Sequence, residues 1–340
     1  MKRGVAFLGL MTGMLADSTP GSAELPPIPV VDLHVDIAYQ HNYQGKTFAE
    51  ATGQYRASEL VAAGVSGVVL PLFVPHRVSP EGPRAADYEE SYARVFNELA
   101  RTEPFLLPGC NPAPGRVRTW LAFEGAAPLA SDPDPQAVLR WVVRGVRSFG
   151  LVHTKNNALA SSSNDPKPSY GLTEAGRRVV RAVHDAGAVV DLSHASDRAA
   201  REILALALAD GAPVVATHSN ARAIADHPRN LSDDLLRAVA KTGGVVGVNF
   251  HSPFLVRGRA ATVADVVSHV RHLVKVMGVD HVAVGSDFEG DITPASGLSD
   301  VGGFQKLAAA LQQAGFARAE IEKMFSANAL RVLCRVPAKP

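Results

Sequence analysis

The chain has 340 residues, 46% hydrophobic and 20% charged, which supplies a large core and sets it apart from disordered or fibrous compositions. Lysine and arginine number 34 against 33 aspartates and glutamates, so the net charge is +1 and a nucleic-acid partner gets no support. Two cysteines, Cys110 and Cys334, are too few for a disulfide scaffold or a cysteine metal site, although an oxidising compartment permits one bridge between them.

In chain order, Lys2 and Arg3 precede an apolar stretch from Gly4 to Ala16, a polar stretch from Asp17 to Pro20, and the small residues Gly21-Ser22-Ala23. This reads as a signal peptide over residues 1–23, cleaved after Ala23, because the apolar run is short for a bilayer span. The expectation is export, periplasmic or secreted, with no stable membrane insertion after signal removal. No later apolar run is long enough to span, and Val336 to Pro340 form no hydrophobic tail. Residues 24–340 contain no repeat, low-complexity tract or dividing linker, and a single domain is expected.

Eight short β-branched runs bounded by Gly, Pro or Asp follow: Ile28 to Leu33, Val65 to Phe73, Arg118 to Phe123, Val146 to Val152, Ala188 to Leu192, Pro213 to Thr217, Gly244 to Phe250 and His281 to Gly285. Several are apolar without alternation, as strands buried on both faces should be. Helical patterns lie between them at Tyr88 to Thr102, Pro135 to Arg144, Thr173 to Ala186, Asp197 to Ala209, Ser232 to Lys241 and Thr262 to Met277. Thr173 and Ser232 stand where N-caps belong. Eight strands alternating with helices predict an α/β fold with a parallel sheet closed into a (β/α)8 TIM barrel. The rival, an open doubly wound sheet, wants a Gly-rich turn after its first strand, and Asp32-Leu33-His34-Val35-Asp36 is no such turn. Ser161 to Tyr170 reads as a loop over one face.

Barrel enzymes carry their sites at the C-terminal ends of the strands. There the chain places His34 and Asp36, Glu124, His153, His194, His218, His251 and Asp287, one group after almost every run. Imidazole with carboxylate suits zinc and similar divalent ions, and a His-x-Asp spacing puts two ligands on one face of an extended strand. Taken singly, each histidine also reads as a hydrogen-bonded rim residue, and Glu124 as half of a structural salt bridge. Arg229 alone reads as a surface arginine near a helix start. His194 and His218 follow consecutive strands, however, and Glu124 closes an apolar run where burial without a partner is costly. A carboxylate with two oxygens can bridge two ions.

The ordered set Asp32-Leu33-His34-Val35-Asp36, Phe123-Glu124-Gly125, Leu151-Val152-His153-Thr154 with Asn156-Asn157, Gly171-Leu172-Thr173, Asp191-Leu192-Ser193-His194, Thr217-His218-Ser219, Pro228 to Asp234 and Gly285-Ser286-Asp287-Phe288 resembles the membrane (renal-type) dipeptidases, the M19 metallopeptidases, from Val30 to about Leu333. The resemblance implies a barrel of the metallo-dependent hydrolase type holding two zinc ions, with manganese or cobalt able to occupy the same ligands. It implies that His34 and Asp36 bind one ion, His194 and His218 the other, and that Glu124 bridges them. A bridging hydroxide would be the nucleophile, oriented by Asp287. His153 would hydrogen-bond substrate and transition state, and Arg229 would grip the substrate carboxylate. A dipeptide is the implied substrate, with a D-residue at its C-terminal position as in bacterial relatives.

Three departures bear on specificity. Val68 to Phe73 replaces a Gly-Gln-Phe-Trp-Ser type strand, His251 stands where an aromatic residue is usual, and Glu289 replaces the second acid of Asp-Phe-Asp-Gly. The role of His251 stays open, as substrate-facing, indirect or structural. The rival activity is another amidohydrolase reaction on the same barrel, on N-acyl amino acids, lactones or cyclic amides; an inactive carboxylate binder is the non-enzyme alternative. Oligomeric state is not legible, and a homodimer is compatible with the sequence.

Overall fold

A computed structural model describes residues 1, 26–49, 53–79, 82–106, 109–111, 113–131, 134–165 and 170–335. The expected signal beyond Met1, its cleavage point and the tail at 336–340 lie outside the described residues.

Eight strands form the barrel: β1 (Val30–Asp32), β2 (Val65–Leu72), β4 (Val117–Glu124), β5 (Val146–Gly150), β6 (Val189–Asp191), β7 (Val214–Ser219), β8 (Val245–Val248) and β9 (Val282–Val284). All their pairings are parallel, and β1 bonds to both β2 and β9, which closes the ring. β3 (Phe105–Leu106) is a two-residue strand that pairs with the start of β4 outside the ring, and no sequence pattern announced it. The predicted strands are all present, most of them shorter. Ladder pairing stops where the chain turns towards the rim, at Gly150 rather than Val152 and at Val248 rather than Phe250.

The strands bury both faces. Val31, Leu33, Val69, Trp120, Ala122, Val189, Val215, Val245 and Ala283 point into the barrel, while neighbours such as Val68, Leu121, Phe123, Val190 and Val246 face the surrounding helices. Near-continuous apolar runs are what a parallel sheet covered on both sides requires.

The six predicted helices appear as α2 (Ala85–Leu99), α3 (Pro135–Val143), α4 (Glu174–Asp185), α5 (Asp197–Asp210), α6 (Asp233–Lys241) and α8 (Val263–Met277), joined by α1 (Ile37–Gln44) and the short α7 (Ser252–Leu255). Thr173 caps α4 by accepting from the Gly176 amide at 3.0 Å. Ser232 does not cap α6; its hydroxyl bonds the Asp234 carboxylate instead, and the acids of the first turn favour the helix N-terminus.

After α9 (Gly303–Gln313) and α10 (Arg318–Glu322), a π-helical turn at Lys323–Ala327 leads into α11 (Asn328–Leu333). Ala329, Val332 and Leu333 of α11 pack onto the barrel-facing residues and close its bottom. Cys110 and Cys334 are paired, Cα to Cα 5.5 Å, which ties the end of α11 to the segment entering β4. Among the described residues no helix is long and apolar enough to cross a membrane.

Candidate metal centre

Glu124 sits two residues beyond Ala122, at the next inward position of β4, so strand alternation carries its carboxylate to the barrel axis. One of its oxygens, Oε1, lies 3.1 Å from His194 Nε2, 3.5 Å from His34 Nε2, 3.7 Å from His218 Nε2 and 3.8 Å from His153 Nε2. His34 Nε2 is 3.4 Å from Asp36 Oδ2, the shared face expected of His-x-Asp. The sequence-predicted ligands His34, Asp36, Glu124, His194 and His218 are thus brought together, all buried.

Backbone geometry at the rim is unusual where these residues sit. His194 and Asp287 have φ of 68° and 65°, the left-handed region that non-glycine residues occupy at a cost of about 1 kcal/mol or more. At β7 the register slips between Ala216 and Ser219, and the Thr217 carbonyl leans over Gly247 and Gly285. A Cβ on either glycine would lie 2.0 or 1.7 Å from that oxygen, so only glycine fits there.

Buried carboxylates of Asp32 and Asp191 brace the ligands from below. Asp32 accepts from the Ser286 amide and hydroxyl and from the His34 amide. Asp191 accepts from the amides of Ser193 and Thr217 at 2.9 Å and from the Thr217 hydroxyl. Asp191 lies close enough to His34 and His218 to ligate an ion with them, but these three donors already occupy it. Thr217 Oγ1 also stands 2.9 Å from His218 Nδ1; its proton is committed to Asp191, so it accepts from Nδ1–H and leaves Nε2 as a lone pair towards Glu124.

The donor set fits a cation. His194 Nε2 and His218 Nε2 are 3.1 Å apart and both face Glu124 Oε1, and His34 Nε2 and His194 Nδ1 are buried without a hydrogen bond among the described residues. Burial, with the neighbouring carboxylates, drives Glu124 up to about 8 and Asp287 up to about 7, against the opposing pull of His34 and Arg229. Burial pulls His34 down, but Asp36 and Glu124 outweigh it and hold it up to about 10. His194 and His218 are pushed well below their ordinary value by burial and by the nearby cationic groups, Arg229 among them. Convergent nitrogen and carboxylate donors in a desolvated cup are what zinc-type ions select.

Around this centre stand the other expected residues. Asp287 Oδ2 accepts from Asn249 Nδ2 at 2.9 Å, fixing its carboxylate; Asn249 went unnoticed in the sequence. His153 packs against Phe73 and His194, with ring centroids at 4.4 and 4.3 Å, and burial and Arg229 keep it neutral. Arg229 is buried rather than on the surface. Its Nη2 reaches the His218 carbonyl at 3.4 Å, its Nε has no hydrogen bond among the described residues, and its guanidinium lies 5.5 Å from the Phe254 ring. A buried guanidinium with a free N–H asks for an anion. His251 lines a cavity together with Arg229 and Glu124; its Nδ1 accepts from the Thr293 amide at 3.0 Å, so the proton is on Nε2.

Glu289 is a structural residue, accepting from the amides of Gln54 and Tyr55 at 2.8 and 2.9 Å. The loop after Ser161 lies over His194, whose carbonyl accepts from the Ser163 amide at 2.8 Å.

The profile of the family described as membrane dipeptidase (peptidase family M19) matches residues 24–338. The dipeptidase verJ of Clonostachys rogersoniana is 36% identical over 222 residues, which is 64% of this chain and 55% of verJ. An uncharacterised Klebsiella pneumoniae protein from the pqqA 5' region is 39% identical over 223 residues, covering 63% of this chain and 80% of that one. The chain spans about half the length of verJ and of the Claviceps purpurea dipeptidase tcpJ that it also matches. A Rhodobacter sphaeroides metallopeptidase, solved with a phosphinate mimic of L-Ala-D-Ala, superposes with a TM-score of 0.79 at 27% identity, covering 91% of this chain and 99% of that one.

Proposed function

The chain belongs to the membrane dipeptidase family, peptidase family M19, and from that premise we propose that it is an exported zinc-dependent dipeptidase. The observation that supports this reading most is the convergence of three imidazoles and Asp36 on the single Glu124 carboxylate. In this reading His34 and Asp36 hold one ion, His194 and His218 the other, and Glu124 serves both. Zinc held there would supply Lewis acidity and would make a water molecule acidic enough to act as a nucleophile near neutrality.

The chain's own residues do the rest. Arg229 holds the C-terminal carboxylate of the dipeptide as a buried, bidentate-capable partner, which limits the substrate to one residue beyond the scissile bond. His153, kept neutral, donates one N–H to the carbonyl oxygen as negative charge develops there. Asp287, held by Asn249, accepts the proton of the attacking water and delivers it to the leaving amine. The phosphinate-bound Rhodobacter sphaeroides relative supports a D-residue at the C-terminal position. Export is supported by the charged-then-apolar N-terminus and by the Cys110–Cys334 pair, a bond that persists in oxidising compartments.

The test is hydrolysis of L,L- and L,D-dipeptides, N-acyl amino acids and lactones by purified protein, with bound metal counted on the same sample. Chelator-sensitive cleavage of dipeptides with about two metals per chain is expected. Activity confined to N-acyl amino acids or lactones would overturn the substrate class, and a metal-free, inactive protein would overturn the enzyme.

A further inference from the structure

Two cavities meet at the barrel mouth. The one over the metal centre, about 280 Å3, contains Arg229, His251 and Phe254, which come from the loops after β7 and β8. Glu124, His153 and Phe73 form a shared wall, and beyond it opens a larger cavity of about 770 Å3 on the β2, β4 and β5 side of the ring. A substrate whose carboxylate lies on Arg229 and whose scissile bond lies at Glu124 therefore runs its amino-terminal residue towards the larger cavity.

That cavity has an apolar base, including Phe73, Val74 and Tyr88, and a rim with His76, Arg84 and Lys155. Among the described residues, Glu124, whose charge faces the metal centre, is the one acidic side chain on its lining. Arg84 is bound to Asp87 at 2.9 Å, so its charge is partly offset. Lys155 is exposed, and among the described residues its ammonium has no ion pair or hydrogen bond. The space exceeds what an alanyl side chain needs and falls within the range of cavities that hold whole small ligands.

We propose, resting on the dipeptidase reading, that this second cavity is a subsite for an anionic group, and that the protein prefers dipeptides whose amino-terminal residue carries an acidic side chain. Lys155 is the specificity-determining residue, with Arg84 adding to a positive field. Both ends of the substrate then meet cations, Arg229 at the carboxyl end and Lys155 at the other, with the reacting bond between them.

Glu-Gly and Gln-Gly test this, since they differ only in charge at the first side chain and glycine removes any stereochemical question. The wild-type protein should cleave Glu-Gly with kcat/KM about fivefold or more above Gln-Gly, expressed mainly in KM and reduced by added salt. Lys155→Glu should abolish or reverse that ratio, and Lys155→Gln should fall between. Equal rates within about twofold for the wild type, or a preference that survives Lys155→Glu, would overturn the subsite. Should neither dipeptide be cleaved, the dipeptidase reading fails, and calorimetric binding of the same two dipeptides to wild type and Lys155→Glu decides the subsite by the same ratios.

Discussion

At the bottom of the barrel, Ala329, Val332 and Leu333 of α11 share one apolar cluster with Val31, Trp120, Val215 and Val245, and the buried Asn328 amide of the same helix is satisfied by the Val279 and Val282 carbonyls. At the top, β4 ends in Glu124, the end of β7 carries His218, and the segments after β1 and β6 turn in His34 and His194, all buried; among the described residues His34 Nε2 and His194 Nδ1 have no hydrogen bond. The bottom follows the ordinary rule that large apolar side chains stabilise by about 1.5–3 kcal/mol each when buried. The top breaks it. Among the described residues the non-glycine positions with positive φ, His194, Asp287, Glu289 and Asp291, lie there, and burial beside other carboxylates holds Glu124 above the ordinary carboxylate range. One end of the ring holds the fold, and the other stores strain and desolvation that a bound cation relieves.

Glu124→Gln should have the largest effect, because it leaves the bottom intact and removes the one carboxylate all the imidazoles face. We expect paired metal binding to be lost and turnover to fall by at least about 100-fold, read from metal content and kcat on the same sample. The rise in Tm that zinc gives the wild type should shrink with it. A variant holding both ions at full turnover would remove the bridging assignment.

Leu333→Ala attacks the other end. It removes apolar volume from the cluster that closes the barrel bottom and should cost about 2–5 kcal/mol in denaturant unfolding with metal content and kcat unchanged. Loss of metal in this variant would show that the two ends are not independent. Cys334→Ser, next in size, should cost about 2–4 kcal/mol through the unfolded chain, again with the centre unaffected; equal stability with and without reductant in the wild type would contradict the pairing.

This contrast also explains what the sequence disclosed. The bottom and the strands were legible because apolar runs bounded by turn residues carry the parallel-sheet signature, and His34, Asp36, Glu124, His194 and His218 stood out as polar groups at the ends of those runs. β3 and α1 were missed, one because two residues hold no period and the other because Ile37 to Gln44 has no apolar stripe. α11 read as no element because its apolar face is matched to the barrel bottom, a tertiary fact. Arg229 looked like a surface arginine, since its burial depends on the loop after β7 folding over Phe254. Asn249 had no local signal. Asp32 and Asp191 had one that went unused: each precedes a ligand histidine by two or three residues inside an apolar run, where an acid must have buried donors.

The smallest predicted effect tests whether those braces matter to the top. The Thr217 hydroxyl gives its proton to Asp191 and accepts from His218 Nδ1, so it fixes the imidazole tautomer that leaves Nε2 free. Thr217→Val keeps the shape, removes the hydroxyl and leaves Asp191 one donor short. Metal affinity should fall about 10- to 100-fold, measured by competition with a chelator, while kcat at saturating metal stays close to wild type. Thr217→Ser keeps the hydroxyl and should restore affinity. A merely structural role would lower Tm in the valine variant without moving the metal constant, and that result would confine Asp191 and Thr217 to holding the β6 and β7 ends together.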